Sequence, residues 1–377
     1  MNAESSARIV SPSHPNAFML KAFLPQPRTR IFGALAITLL FFVVTAFAIL
    51  PADVRNAQWT KQKSSTLAWL HAIYFLDSQS GWAVGGNGAL LSTNDGGVTW
   101  RTLPRPTEDA LRDLYFSDRT NGWLVCDRSI YRLKTDEEAR TYLLHTRDGG
   151  TTWQRVDVGH TNPAERLVRV VFAGNGLRGW VFGETGAVYN TSDGGGSWAR
   201  QSVPTRRLLL GGAFIDAATG WLVGAGATVL QTNDGGETWR AANAMAAPNA
   251  RLNAVSFADK AHGWAVGADG LILFTTNGGR SWRTQISNVA TDLNDVKFVD
   301  GAEGWAIGAE GVLLHTINGG ATWTLEPSGT THPLERLCLV GRERGWAVGF
   351  GGTIISYGGD GSTTPPRAPQ LKTITTH

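Results

Sequence analysis

Residues 81–100 read GWAVGGNGALLSTNDGGVTW, and residues 304–323 read GWAIGAEGVLLHTINGGATW. The two share an opening Gly-Trp, a central Gly, a Leu-Leu pair and a Thr, then a Gly-Gly pair closed by a second Trp. The opening dipeptide occurs seven times, with Trp82, Trp123, Trp180, Trp221, Trp264, Trp305 and Trp346. Successive intervals are 41, 57, 41, 43, 41 and 41 residues, a period that marks a repeat architecture. The closing tryptophans are Trp100, Trp153, Trp198, Trp239, Trp282 and Trp323, 18 residues after the first in five repeats and 30 in the second.

Upstream of each Gly-Trp runs an alternating apolar stretch such as LRDLYFSD (111–118), LNAVSFAD (252–259) or LNDVKFVD (293–300). Period-two alternation is the pattern of a half-buried strand. Each repeat therefore reads as four antiparallel strands: the LxxVxF stretch, GWAVG, the LLxT stretch, and one beginning near the closing Trp. Turns such as Ala268-Asp269-Gly270 join the second and third. Four strands repeated seven times predict an all-β chain, a seven-bladed β-propeller of four-stranded antiparallel blades, over residues 56–360.

The seventh repeat has Thr364 where the closing Trp belongs. Trp59 supplies it. It precedes Trp82 by 23 residues, the same separation as Trp100 to Trp123 and Trp323 to Trp346. The N-terminal segment is thus expected to donate the fourth strand of blade seven and remove two open sheet edges. Of 15 tryptophans, Trp69 alone has no repeat position. The second repeat carries 12 extra residues within about 127–142, and four more fall in 154–167. Departures from a repeat are where function concentrates.

The six segments before the closing Trp, such as TNDGGVTW (93–100) and TINGGATW (316–323), are Asp boxes. Asp95, Asp148, Asp193, Asp234, Asn277 and Asn318 are expected to accept hydrogen bonds from turn backbone, with glycines taking positive φ. The closing tryptophans are expected to pack between blades. Asn in two copies argues against a charge-dependent calcium site.

The chain has 377 residues, 42% hydrophobic and 17% charged, with 46 Gly and a net charge of +3. That balance gives no basis for nucleic-acid binding. Residues 31–50, IFGALAITLLFFVVTAFAIL, are long enough to span a bilayer; Lys21, Arg28 and Arg30 before them favour a cytoplasmic 1–30 and an exported propeller. Ala46-Phe47-Ala48 leaves a cleaved signal open. Residues 361–377 form a Thr/Pro-rich tail expected to be disordered. Cys126 and Cys338 fall in blades two and seven, too far apart for a disulfide, and are expected to be two buried thiols.

The pattern LxxVxF…GWAVGxxGxLLxTxDGGxTW, repeated seven times, resembles the Ycf48/HCF136 family of photosystem II stability and assembly factors. The resemblance covers about residues 56–360. It implies a non-enzymatic seven-bladed propeller facing the periplasm or thylakoid lumen, which binds newly made reaction-centre protein through an arginine-rich face. A single-pass anchor departs from the lipid or cleaved signal of that family.

No HExxH, CxxC, Walker loop, GxSxG or GxGxxG following a strand is present, so no metal, cofactor or catalytic residue is expected. His145 and His315 share a repeat position held by Ser92, Asn190, Gln231 and Phe274 elsewhere, which suits a tolerated strand position rather than a ligand. Asp boxes also occur in sialidases, and a carbohydrate-binding or sialidase-like glycoside hydrolase propeller is the rival reading. That site needs an arginine triad and a Tyr–Glu pair, and none of the six tyrosines sits in such a pair.

Arginine dominates the blade connections, as suits bidentate grip on carboxylates. The candidate partner-binding residues are Arg112, Arg169, Arg166, Arg207, Arg251 and Arg336, with Arg112 and Arg169 in matching places near the channel mouth. The sequence thus reads as a monomeric propeller at the cytoplasmic membrane, its partner another membrane protein or that protein's exported tail.

Overall fold

The structure, a computed structural model, describes residues 58–358 apart from 136, 160–161, 175, 243 and 245–248. The segments 1–30, 31–50 and 361–377 lie outside the described residues. Among those described, no helix is long and apolar enough to cross a membrane.

Seven antiparallel sheets of four strands each are present. Blade one comprises Leu70–Phe75, Gly81–Gly85, Leu90–Thr93 and Arg101–Thr102. The innermost strands of blades two to seven are Ala110–Phe116, Leu167–Ala173, Leu209–Phe214, Leu252–Phe257, Leu293–Phe298 and Leu334–Val340. Gly-Trp strands such as Gly263–Gly267 are buried throughout, because a sheet lies on each side and both faces of the strand must be apolar. Blade seven takes its fourth strand from Thr60–Gln62, paired Thr60 to Ser356, Lys61 to Ile355 and Gln62 to Ile354. The tryptophan spacing predicts that closure correctly.

The seams between blades explain the aromatic composition. In blades one, two, four, five and six the Phe ending the innermost strand stacks flat on the Gly-Trp tryptophan of the preceding blade, whereas Phe172 of blade three lies on Tyr115 at 4.7 Å. Phe75 lies 3.5 Å from Trp346 at 8°, and Phe298 lies 3.5 Å from Trp264 at 7°. The closing Trp meets that Phe edge-on from its own blade, as Trp323 meets Phe298 at 89°. The indole N–H groups of Trp82, Trp180, Trp221, Trp264 and Trp346 then donate into the next blade's Asp box, as from Trp221 to the Gly278 carbonyl (2.9 Å) and from Trp346 to Gly96 (2.8 Å). The sequence of blade seven carries no such box, and the buried indole nitrogen of Trp305 in blade six finds no partner among the described residues. Leu339 replaces the Phe there, and Trp305 tilts against Tyr357 at 5.3 Å. His145 and His315 lie flat on Trp123 and Trp305, which are packing roles.

Each Asp box is a closed hydrogen-bonding unit. Asp95 Oδ1 accepts from the Thr93 hydroxyl (2.7 Å) and the Thr99 amide (2.9 Å), while Oδ2 accepts from the Thr99 hydroxyl. Asn277 and Asn318 accept the same amide through Oδ1 and donate to the Ser281 and Thr322 hydroxyls through Nδ2. An amide therefore serves as well as a carboxylate. At Gly279, φ is +85° and an added Cβ would lie 2.7 Å from the Trp221 indole nitrogen, so only glycine fits between box and seam.

These bonds hold the carboxyls of Asp148, Asp193 and Asp234 down at about 2, chiefly through the Thr152 hydroxyl, the Ser197 amide and the Thr238 hydroxyl respectively. A carboxyl depressed on folding contributes stability that is present above its unfolded value near 4 and lost as pH falls through its folded value. We expect stability to fall between about pH 4 and pH 2. The variant carrying Asp148→Asn, Asp193→Asn and Asp234→Asn should match the parent at pH 7 and lose less at pH 3, in guanidinium unfolding at both pH values. An equal loss would show that the boxes titrate without linkage to folding.

Both cysteines are free, but only Cys126 is buried. Cys338 is half-buried because its alternate position on the innermost strand faces the central channel. Burial pushes its thiol up to about 11.

Candidate functional site

Every innermost strand carries a register shift just after its first buried Leu, between Leu111 and Asp113 in blade two and between Leu167 and Arg169 in blade three. The bulged residue sits at the channel mouth, and the one after it lines the channel. Arg112 is a bulged residue, like His71, Asn253, Asn294 and Glu335. Arg169 is the residue after, like Asp113, Asp295 and Arg336. Arg112 and Arg169 therefore do not occupy matching places: aligned on Phe116 and Phe172 they are one residue apart, and a one-residue slip on a strand reverses the face.

The channel encloses a cavity of about 460 Å³ lined by Asp113, Arg169, Asp295, Lys297 and Arg336 among others. Asp113 Oδ2 accepts the Val170 amide of blade three (3.0 Å), and its Oδ1 lies 3.5 Å from Arg336 and 4.0 Å from Arg169. Asp295 Oδ2 accepts the Leu337 amide of blade seven (2.9 Å). These carboxylates tie blade two to blade three and blade six to blade seven. Burial raises the Asp113 carboxyl above the usual range, against the pull of Arg169.

The mouth holds a different constellation. Asp127, buried at the end of Gly122–Asp127, accepts Nε of both Arg112 and Arg166 at 3.0 Å, and Arg140 Nε lies 3.5 Å from its other oxygen. Glu184 stands 3.8 Å from Arg166 and 3.9 Å from Arg140. Three half-exposed guanidiniums thus share one buried carboxylate and one flanking glutamate, leaving positive charge at the surface. Arg112 makes its hydrogen bond to Asp127 through Nε. His71 beside them is held down at about 4 by burial and then by Arg112 and Arg166, so it stays neutral at physiological pH.

The blade-two insertion extends this face. Arg128 bonds Glu138 at 2.8 Å and lies 3.4 Å from Asp109, and Arg132 lies 3.3 Å from Glu108. Of the six arginines expected at a partner site, Arg112 and Arg166 come together at the mouth. Arg169 and Arg336 meet deeper, on Asp113. Arg251 pairs with Asp292 at the blade five–six connection, and Arg207 is exposed without an ion pair among the described residues. They do not form one patch. Arg140 and Asp127 complete the mouth cluster and were not expected. Their signal in the sequence is that both bound the insertion that breaks the repeat.

The model of the family described as photosynthesis system II assembly factor YCF48 matches residues 52–199 and 197–290, together more than half of the chain. A curated relative, the photosystem II assembly lipoprotein Ycf48 of Synechococcus sp. (strain CC9902), is 29% identical over 129 residues, 33% of this chain and 34% of that protein. The match thus spans about a third of that relative's length. Among solved structures, YCF48 from Cyanidioschyzon merolae superposes with a TM-score of 0.65 at 21% identity, over 80% of this chain and 99% of that one. A structure of YCF48 bound to D1 peptide gives the same score and identity, over 80% and 97%. A GH74 xyloglucanase from Xanthomonas campestris reaches 0.60 at 12% identity, over 79% and 53%. At these identities the solved structures show the fold alone.

Proposed function

Since the chain belongs to the YCF48 family of photosynthesis system II assembly factors, we propose that it is a non-catalytic scaffold holding an exported segment of another membrane protein at its channel mouth. The observation that carries this reading is the convergence of Arg112, Arg140 and Arg166 on the single buried carboxylate of Asp127. Asp127 holds Arg112 and Arg166 by hydrogen bonds, with Arg140 as an ion pair at 3.5 Å, so the remaining N–H groups of Arg112 and Arg166 are pre-aligned for a partner's carboxylate at little ordering cost. The D1 peptide held by a structurally similar YCF48 is the kind of segment that would suit it.

The fold is shared with glycoside hydrolases, but the described channel offers little for that chemistry. Asp113 and Asp295, the acids on its wall, are engaged by backbone amides of the next blade, whereas glycoside hydrolysis needs a free carboxyl pair. The uncharged stretch 31–50 supports a membrane-anchored arrangement, with the propeller on the extracytoplasmic side as a monomer.

The test is affinity capture of the full-length protein from gently solubilised native membranes, beside an Arg112→Glu/Arg166→Glu variant. A membrane protein retained by the parent, lost in the variant and released by salt is expected, since exposed charge pairs are screened. Equal retention by both would remove the mouth arginines from the site.

A further inference from the structure

A second surface adjoins the arginines. Trp69, the tryptophan without a repeat position, is 43% exposed, and Phe350 is 46% exposed. Their rings meet edge-to-face at 5.4 Å. Phe350 opens the turn between the second and third strands of blade seven, where the other blades have Gly86, Glu184, Ala268 or Ala309. Two unrelated departures from the repeat thus converge in space. The pair is held in place: the Trp69 indole N–H donates to Glu335 (3.1 Å), and His332 sits edge-on to Phe350 at 5.5 Å. Aromatic rings fixed in the open and not packed inward are the pattern of a recognition surface.

Its place in the ring says what it faces. Trp69 immediately precedes the innermost strand of blade one, and its carbonyl accepts the Gly86 amide (2.9 Å). Arg166 holds the same position in blade three, its carbonyl accepting the Glu184 amide (2.7 Å). Arg112 lies on the blade between them. His71, two residues from Trp69 and 5.6 Å from its ring, occupies the bulge position that Arg112 holds in blade two. Glu335, the acceptor for Trp69, is the bulged residue of blade seven. Aromatics on blades seven and one and guanidiniums on blades two and three therefore lie on one rim, with His71 between them.

We propose that this rim reads a two-part signal in an extended peptide: a carboxylate held by Arg112, Arg140 and Arg166, and an apolar or aromatic side chain a few residues away, laid on Trp69 and Phe350. This deepens the scaffold reading and rests on it. The partner is a protein segment because the two halves demand different chemistry at a fixed separation, apolar at one end and anionic at the other. The shelf supplies the selectivity that arginines alone lack, since any exposed acid would satisfy the arginines.

The probes are fluorescent Ser/Gly peptides ending in a free carboxylate, either unadorned or with Phe or Leu at one of the six preceding positions. Binding is read by anisotropy with the propeller and its variants. The parent should bind the best apolar-bearing peptide about tenfold more tightly than the unadorned one. Trp69→Ala and Phe350→Ala should each erase that gain while binding the unadorned peptide as the parent does, with melting temperatures near the parent's because both side chains are half-exposed. Arg112→Glu should weaken every peptide. A parent indifferent to the apolar residue, or variants that keep the full gain, overturns the shelf while leaving the arginine site standing if Arg112→Glu still weakens binding. No binding of any peptide by the parent overturns both, and competition for Trp69 by soluble oligosaccharides overturns the peptide assignment.

Discussion

Trp264→Ala is expected to lower the free energy of unfolding by about 3–5 kcal/mol and the melting temperature by roughly 10 °C. The residue is fully buried. It gives up a flat stack on Phe298 and a 3.0 Å hydrogen bond to the Gly319 carbonyl of blade six. Removing it opens a cavity at a seam and takes one of two donors from the Gly319 carbonyl, which keeps the Gln285 side-chain amide (2.8 Å), so the cost of one hydrogen bond adds to the packing loss. Trp305→Ala makes a useful comparison, because its indole nitrogen has no partner to lose among the described residues. It should cost less than Trp264→Ala by about the 1 kcal/mol of one hydrogen bond. Denaturant unfolding of the two variants decides the matter; equal losses would mean that the indole bonds contribute nothing beyond packing.

The second large effect comes from the closing strand. A chain starting at Ser64 loses Trp59, buried against Tyr357 at 5.5 Å, together with every ladder bond from Thr60–Gln62 to blade seven. Trp59 alone accounts for about 3–5 kcal/mol, and Ile354–Tyr357 becomes an open edge, which recruits strands from other molecules. The expected result is a melting temperature lower by more than about 10 °C and a shift to oligomers in size-exclusion chromatography. A truncated chain that stays monomeric and melts like the parent would mean that the ring is held at that seam by blade one alone.

How far the sequence carries is visible in particular residues. The spacing from Trp59 to Trp82 places the closing strand, because repeat arithmetic does not depend on local conformation. The Asp/Asn exchange at positions 277 and 318 correctly points to turn bonding. The seams are written in the same letters, yet the stacking of Phe75 on Trp346 is not readable as a pair, since nothing in a repeat says which blade its aromatic faces. Arg169 goes astray for a sharper reason. The bulge adds a residue that no pattern of apolar positions reveals, so alternation counted across it exchanges channel for mouth. The partnership of Asp127 with Arg112, Arg140 and Arg166 draws on one blade's insertion and its neighbour's leading edge, and it is the packing of blade three on blade two that brings them together.

The closing strand also sets an order of events. Gln62 bonds the Ser356 hydroxyl across 294 residues of chain, whereas the pairings inside other blades join residues close in sequence. Closing a loop of that length is entropically costly and slow, and contacts of such separation form late. Blades one to six can assemble progressively as neighbours become available, while the first-made strand waits for the last. Refolding should therefore show a slow final phase reported by Trp59, and until it completes the molecule is an open arc rather than a wheel.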